Sequence, residues 1–204
     1  MASSLLAGVV AGYAIAIPVG PIAVLIVELG VRRGFRIAAA AGAGAGTADG
    51  LYAALAALGG AVLAGVIAPL AAPLRVVAGG VLLGIALRGF ARILLRSGGA
   101  APSGPVPRAA LATYARFAAL TLLNPMTVIY FAALMLGLPE IGDAAGERAA
   151  FVVGAFAASL SWQLLLAVIG ALAQRRLPTR FQVGVGLLGN LVIAAFALRI
   201  GLGG

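Results

Sequence analysis

The 204-residue sequence contains no cysteine, no histidine and no lysine. Without cysteine there is no disulfide framework and no thiolate metal site. Without histidine the commonest metal ligand and the usual proton carrier near neutral pH are gone. Charge is scarce as well: 9% of residues are charged, against roughly 25% in a soluble domain. What fills the chain instead is apolar, 63% of residues, with a mean hydropathy of +1.17. Such a composition defines an all-α integral membrane protein. No HExxH, Ser–His pair, nucleophile elbow or Walker loop occurs, so neither an enzyme, nor a cofactor, nor ATP-driven transport by this chain alone is expected.

All fourteen basic residues are arginine and only five residues are acidic, giving a net charge of +9. A basic balance often marks a nucleic-acid partner. Here the arginines sit in short connections between apolar runs, where membrane topology explains them and no nucleic acid is implied. Six spans fit, near 4–28, 38–66, 72–94, 112–137, 149–173 and 182–202, each meeting or approaching the ~20 residues that cross a bilayer. The first 31 residues hold no basic residue, so the first span is expected to be a retained helix rather than a signal peptide. The third is the weakest. Twelve uncharged residues separate Arg75 from Arg88, and both arginines must snorkel to opposite interfaces. Arg32, Arg33 and Arg36 mark one connection, Arg92, Arg96 and Arg108 another, and Arg175, Arg176 and Arg180 a third. The positive-inside rule places these in the cytoplasm and both termini outside. Glu140, Asp143 and Glu147 then read as a solvated outer loop.

The halves echo each other. Val19–Val24 aligns with Leu123–Val128 at an offset of 104, and Gly79–Gly84 with Gly184–Gly189 at 105. With three spans in each, this reads as an inverted three-plus-three repeat. Residues 1–96 form the first half, 97–111 a Gly/Pro/Ser-rich cytoplasmic linker, and 112–204 the second half.

In each half a proline interrupts the first span: Pro21 after Gly20, and Pro125 after Asn124. Mid-membrane proline frees carbonyls that no water can satisfy. Gly and Asn are good N-caps and proline suits the first helical position, so Gly20-Pro21 and Asn124-Pro125 also read as helix restarts in broken spans one and four. Restarts aim N–H groups and the positive dipole end at the midplane, a site for a substrate carboxylate. The competing account is two kinks that only shape the bundle. Asp49 is the one carboxylate well inside a span. Burying it charged costs roughly 3 kcal/mol on insertion scales, so it should face the interior and rest protonated. It reads as a proton carrier or a ligand for a substrate ammonium, or else as a polar clip to Asn190, Ser161 or Thr47. Gly42, Gly46 and Gly50 recur every fourth residue and make a smooth face for another helix. Glu28 and Arg32 are spaced for an interfacial ion pair, the Arg88–Arg92–Arg96 stripe for anchoring at the membrane surface. Ser159, Ser161, Trp162 and Gln163 lie mid-span, where one of them could line a pathway.

At these residues the chain resembles the lysine exporter (LysE/RhtB) family of bacterial efflux proteins. The matching pieces run in order: Gly20-Pro21, Gly30-Val-Arg-Arg-Gly34-Phe-Arg36, the Gly-rich second span with Asp49, Gly79–Gly84, Asn124–Phe131 and Gly154–Trp162. They cover nearly the whole chain. The family's Pro-Gly-Pro is here Pro18-Val19-Gly20-Pro21, and the Gln and acid of basic-amino-acid exporters are replaced by Ile22 and Tyr130. The resemblance implies proton-coupled export of amino acids or similar small metabolites across the bacterial inner membrane, and speaks against lysine or arginine as substrate.

The sequence-level expectation is therefore a secondary active exporter of small zwitterionic metabolites working by proton antiport. Gly20, Pro21, Asn124, Pro125 and Asp49 bind substrate, and Asp49 carries the proton. The partners are the substrate, protons and the bilayer, with small-residue faces suited to a homodimer. A metal-ion exporter of the wider superfamily would need more intramembrane ligands than Asp49. A non-transporting helical subunit would need neither broken helices nor a buried acid.

Overall fold

Alanine and leucine, the residues least opposed to the helix, dominate every apolar run. A computed structural model describes residues 1–18, 20–67, 71–95, 106–124, 127, 130, 144–176 and 178–201. Among them are seven helices and no strand: α1 (Ala2–Ala16), α2 (Pro21–Arg33), α3 (Phe35–Ile67), α4 (Ala71–Leu95), α5 (Val106–Leu122), α6 (Ala145–Arg176) and α7 (Thr179–Gly201).

The expected first span is two helices, set 76° apart across the break after Ala16. Both lie along α6, because Gly8 and Gly12 of α1 meet the backbone of Phe151 and Ala155, and Gly30 of α2 meets Gly170. Among the described residues, Ala145–Gln174 is by itself long and apolar enough to cross a membrane, and the α1–α2 pair qualifies as a broken span. Three boundaries differ from expectation. Helix α2 runs on to Arg33, and Gly34 alone separates it from α3, so Arg32 and Arg33 end one helix while Arg36 begins the next. Gly34 has φ 79° and its N–H donates to the Gly30 carbonyl at 3.0 Å, a glycine-dependent helix end. The expected linker 97–111 is also too long at its C-terminal side. Helix α5 starts at Val106, since Pro107 is compatible with a first helical turn. Finally, α6 begins four residues before the expected span, at Ala145. The linker's remaining residues to 105, and Glu140 and Asp143, lie outside the described residues.

Many buried positions are small or polar, among them Ala38, Ala41, Ala45, Asp49, Ser159 and Asn190, beside a few large ones such as Phe151, Ile26 and Ile193, whereas Leu6, Leu58, Leu111, Leu188 and Leu191 are at least 60% exposed. Large apolar side chains outside and small ones between helices suit a lipid surround. The Gly42–Gly46–Gly50 face packs on α6: a Cβ there would come within 3.1, 3.3 and 3.0 Å of Gln163, Leu160 and Phe156. The descending partner numbers show that α3 and α6 are antiparallel. Helix α3 also packs on α5, and α4 pairs with α7.

Gly34→Ala should lower the thermal midpoint of the detergent-solubilised protein. A Cβ at positive φ costs about 1–2 kcal/mol, and here it would also crowd Gln174 Oε1 at 3.1 Å. An unchanged midpoint would show that the α2–α3 corner relaxes without strain.

Candidate functional site

Helix α1 ends with the Ile17 N–H donating to the Tyr13 carbonyl at 2.9 Å. Gly20 is extended (φ −114°, ψ −176°), and Pro21 opens α2. The first intrahelical bond of α2 runs from the Val24 N–H to the Gly20 carbonyl at 3.2 Å. The N–H groups of Ile22 and Ala23 thus find no partner within their own helix, and neither do the last carbonyls of α1. Two dipole ends of opposite sign face one another across the break.

On the side of the second expected break, the end of α5 is described. The helix ends at Leu122, the Asn124 N–H donates to the Thr121 carbonyl at 3.1 Å, and the Tyr52 hydroxyl donates to the Leu122 carbonyl at 2.6 Å. Tyr52 follows Asp49 by three positions on α3, so one helix face holds the end of α5 and presents the acid. Pro125, and with it the expected helix restart, lies outside the described residues. Beyond it, the Tyr130 hydroxyl donates to the Ala11 carbonyl of α1 at 3.1 Å.

A cavity of about 60 Å³ lies between the α1–α2 break and the end of α5, lined by Ile15, Ala16, Pro18, Gly20, Pro21, Ile22 and Ala23 on one side. Asp49 of α3, Thr121 and Asn124 at the end of α5, Thr127, and Gln163 of α6 complete its wall. At ≳10–15 Å³ per water, it has room for a few waters or a small polar head group. Of the residues expected at the site, the structure brings Gly20, Pro21, Asp49 and Asn124 together around this one space.

Asp49 is 4% exposed, and Ser159 Oγ donates to its Oδ2 at 2.6 Å. It forms no ion pair among the described residues. The expected clips to Asn190, Ser161 or Thr47 are not made. Asn190 Nδ2 donates to Glu28 Oε1 at 3.4 Å, Ser161 Oγ donates to the Ala158 carbonyl at 2.7 Å, and Thr47 Oγ1 donates to the Ala43 carbonyl at 2.8 Å. The reason is the glycine face, which brings α3 so close to α6 that residue 49 comes level with residue 159. The expected Glu28–Arg32 pair is present, Arg32 Nε lying 3.2 Å from Glu28 Oε1.

Two cavity groups stand out. Gln163 Oε1 and Thr121 Oγ1 are buried without a hydrogen-bond partner, on residues 6% and 3% exposed. Leaving such a group unpaired costs about 1–3 kcal/mol, so both atoms are available to something that enters. Sequence reasoning missed Thr121 as a site group and noted Ser159 and Gln163 only among four mid-span polar residues, one of which could line a pathway. The usable signal was spacing: Thr121 is three residues before Asn124, and Ser159 and Gln163 are four apart on one helix face.

A helical body with lipid-suited surfaces, a broken span and a polar cavity at the break belongs to the class of membrane transporters. The LysE type translocator family model matches residues 13–204, and the chain belongs to that family. It is thereby a membrane-embedded transporter, as the ordered motifs of the sequence implied; members of this family are transporters rather than enzymes. No curated protein and no solved structure matches the chain.

Thr121→Val keeps the side-chain volume and removes the unpartnered hydroxyl. It should raise the thermal midpoint of the empty protein, by an amount equivalent to about 1 kcal/mol. A lowered midpoint would mean that the hydroxyl is already satisfied.

Proposed function

We infer that the protein exports a small zwitterionic metabolite, a neutral amino acid, across the bacterial inner membrane in exchange for protons. The observation that carries this reading is that one cavity wall offers groups of both polarities. The N–H groups of Ile22 and Ala23, unpaired within α2, and the Thr121 hydroxyl offer donors to a carboxylate, with Asn124 beside them. The Asp49 carboxylate, Gln163 Oε1 and the carbonyl end of α1 offer acceptors to an ammonium group. Half-helix N-termini facing a substrate carboxylate, with half-helix C-terminal ends facing a cation, are a recurring transporter device. Neither a cation nor an anion alone uses both sets.

Asp49 couples transport to protons by competition. With the cavity empty, a proton removes the cost of an isolated charge held in a dry interior by one Ser159 hydroxyl. Substrate ammonium replaces that proton, and its release returns the proton from the other side. One carboxylate gives one proton per cycle.

Six spans as two inverted halves support alternating access around this site. Among the described helices the first span lies on α6 and α5 on α3, α3 lies on α6, and α4 on α7, pairings that an exchange of the halves would preserve. The arginine-rich connections then lie in the cytoplasm and the termini outside.

Counterflow in proteoliposomes preloaded with single amino acids, with labelled tracer outside, tests the carrier. Asp49→Asn should abolish accumulation driven by a pH gradient while leaving some exchange. Gradient-driven uptake by Asp49→Asn at the native rate would remove the proton role. No saturable counterflow with any amino acid would remove the substrate class.

A further inference from the structure

A second, apolar cleft adjoins the polar cavity and shares three wall residues with it: Pro21, Ile22 and Asn124. Its other walls are Val81 and Leu82 of α4, and Leu120 and Leu123 at the end of α5. We propose that this cleft receives the side chain of the transported amino acid and selects short aliphatic side chains. The inference rests on the zwitterion reading above and deepens it.

Adjacency of the two spaces, which share Pro21, Ile22 and Asn124, is the first argument. A substrate whose carboxylate lies at the first turn of α2 and whose ammonium lies at Asp49 has its α-carbon between them, beside Pro21 and Ile22. The remaining substituent must then point away from the acceptors, and the cleft adjoins the cavity at those residues. Composition is the second. Apart from Asn124, no wall residue carries a side-chain donor or acceptor, so a hydroxyl, amide or charged terminus entering it would lose its hydration without replacement. Size is the third. The cleft measures about 10 Å³, close to one water-sized sphere. That admits a methyl-sized group and excludes larger side chains, an aromatic ring above all.

Position adds a role beyond fit. Val81 and Leu82 belong to the α4–α7 pair, whereas Pro21, Ile22, Leu120 and Leu123 belong to the helices around the polar cavity. The side chain therefore occupies the seam between them. An oversized group would hold the seam apart even where the zwitterionic head still bound. Recognition of the head and rejection of the side chain are separable, so variants of the cleft should change ranking among amino acids more than they change the requirement for a zwitterion.

The test is counterflow with glycine, alanine, valine, leucine and phenylalanine, comparing the native protein with Leu120→Ala and Val81→Phe. The native protein should favour alanine over leucine and phenylalanine. Leu120→Ala enlarges the cleft and should move the preference toward valine or leucine by about tenfold, the scale on which hydrophobic pockets discriminate a methylene or two. Val81→Phe fills it and should move the preference toward glycine. Val81 is 39% exposed, so its replacement keeps the test decisive should Leu120→Ala fail to fold. Counterflow whose ranking is the same in native and variant proteins would overturn the side-chain site and leave the zwitterion reading standing. Absence of counterflow by the native protein with every amino acid would overturn both.

Discussion

The approach of α3 to α6 along Gly42, Gly46 and Gly50 is the contact on which the rest of the site depends. Without side chains on that face, α3 lies against Gln163, Leu160 and Phe156 at van der Waals distance. That closeness brings Asp49 within reach of Ser159 and holds Gln163 at the cavity wall. The opposite flank of α3 accepts α5 equally closely, since Gly44 meets the backbone of Tyr114. Tyr52 can then reach the end of α5. In an apolar surround hydrophobic burial gives little reason for helices to associate, and close packing with a few internal hydrogen bonds takes its place. One helix thus spaces both breaks around a single cavity.

The polar interior is sparse, and its members divide by whether they are satisfied. Asn190, Thr47, Ser161 and Tyr13 each have a partner on another helix. Among the described residues Trp162 Nε1 is buried without one, as are Gln163 Oε1 and Thr121 Oγ1, and the latter two lie on the cavity wall. Polar atoms left unpaired on that wall sacrifice stability where a ligand would restore it. The distinction does not require knowing the ligand, only that its donors and acceptors match those left over.

Much of this was legible beforehand because its causes are local. Gly20-Pro21 encodes a break through the missing N–H and the fixed φ of proline, whatever surrounds it. The four-residue glycine period encodes a face by helical geometry alone. Asp49 was legible as interior because a carboxylate in so apolar a run has nowhere else to go. Its partner was not: choosing Ser159 over Ser161 depends on the stagger of two helices more than a hundred residues apart, which no local pattern contains. Helix ends failed similarly where a single residue sufficed. Gly34 turns the chain by itself, so arginines expected in a loop became the last and first turns of two helices.

The arrangement of α2 has a mechanical corollary. Among the described residues the α4–α7 pair touches the remaining helices mainly through α2, whose other flank lies on α6 and α3. At one end α2 is freed from α1 by the break; at the other it is tied to α3 by one glycine. It is therefore a crank: a rod journalled at Gly34, loose at Gly20, with its free tip in the cavity and a pair of helices riding on its side. Any tilt at the tip is delivered to the α4–α7 pair without an intervening loop to absorb it.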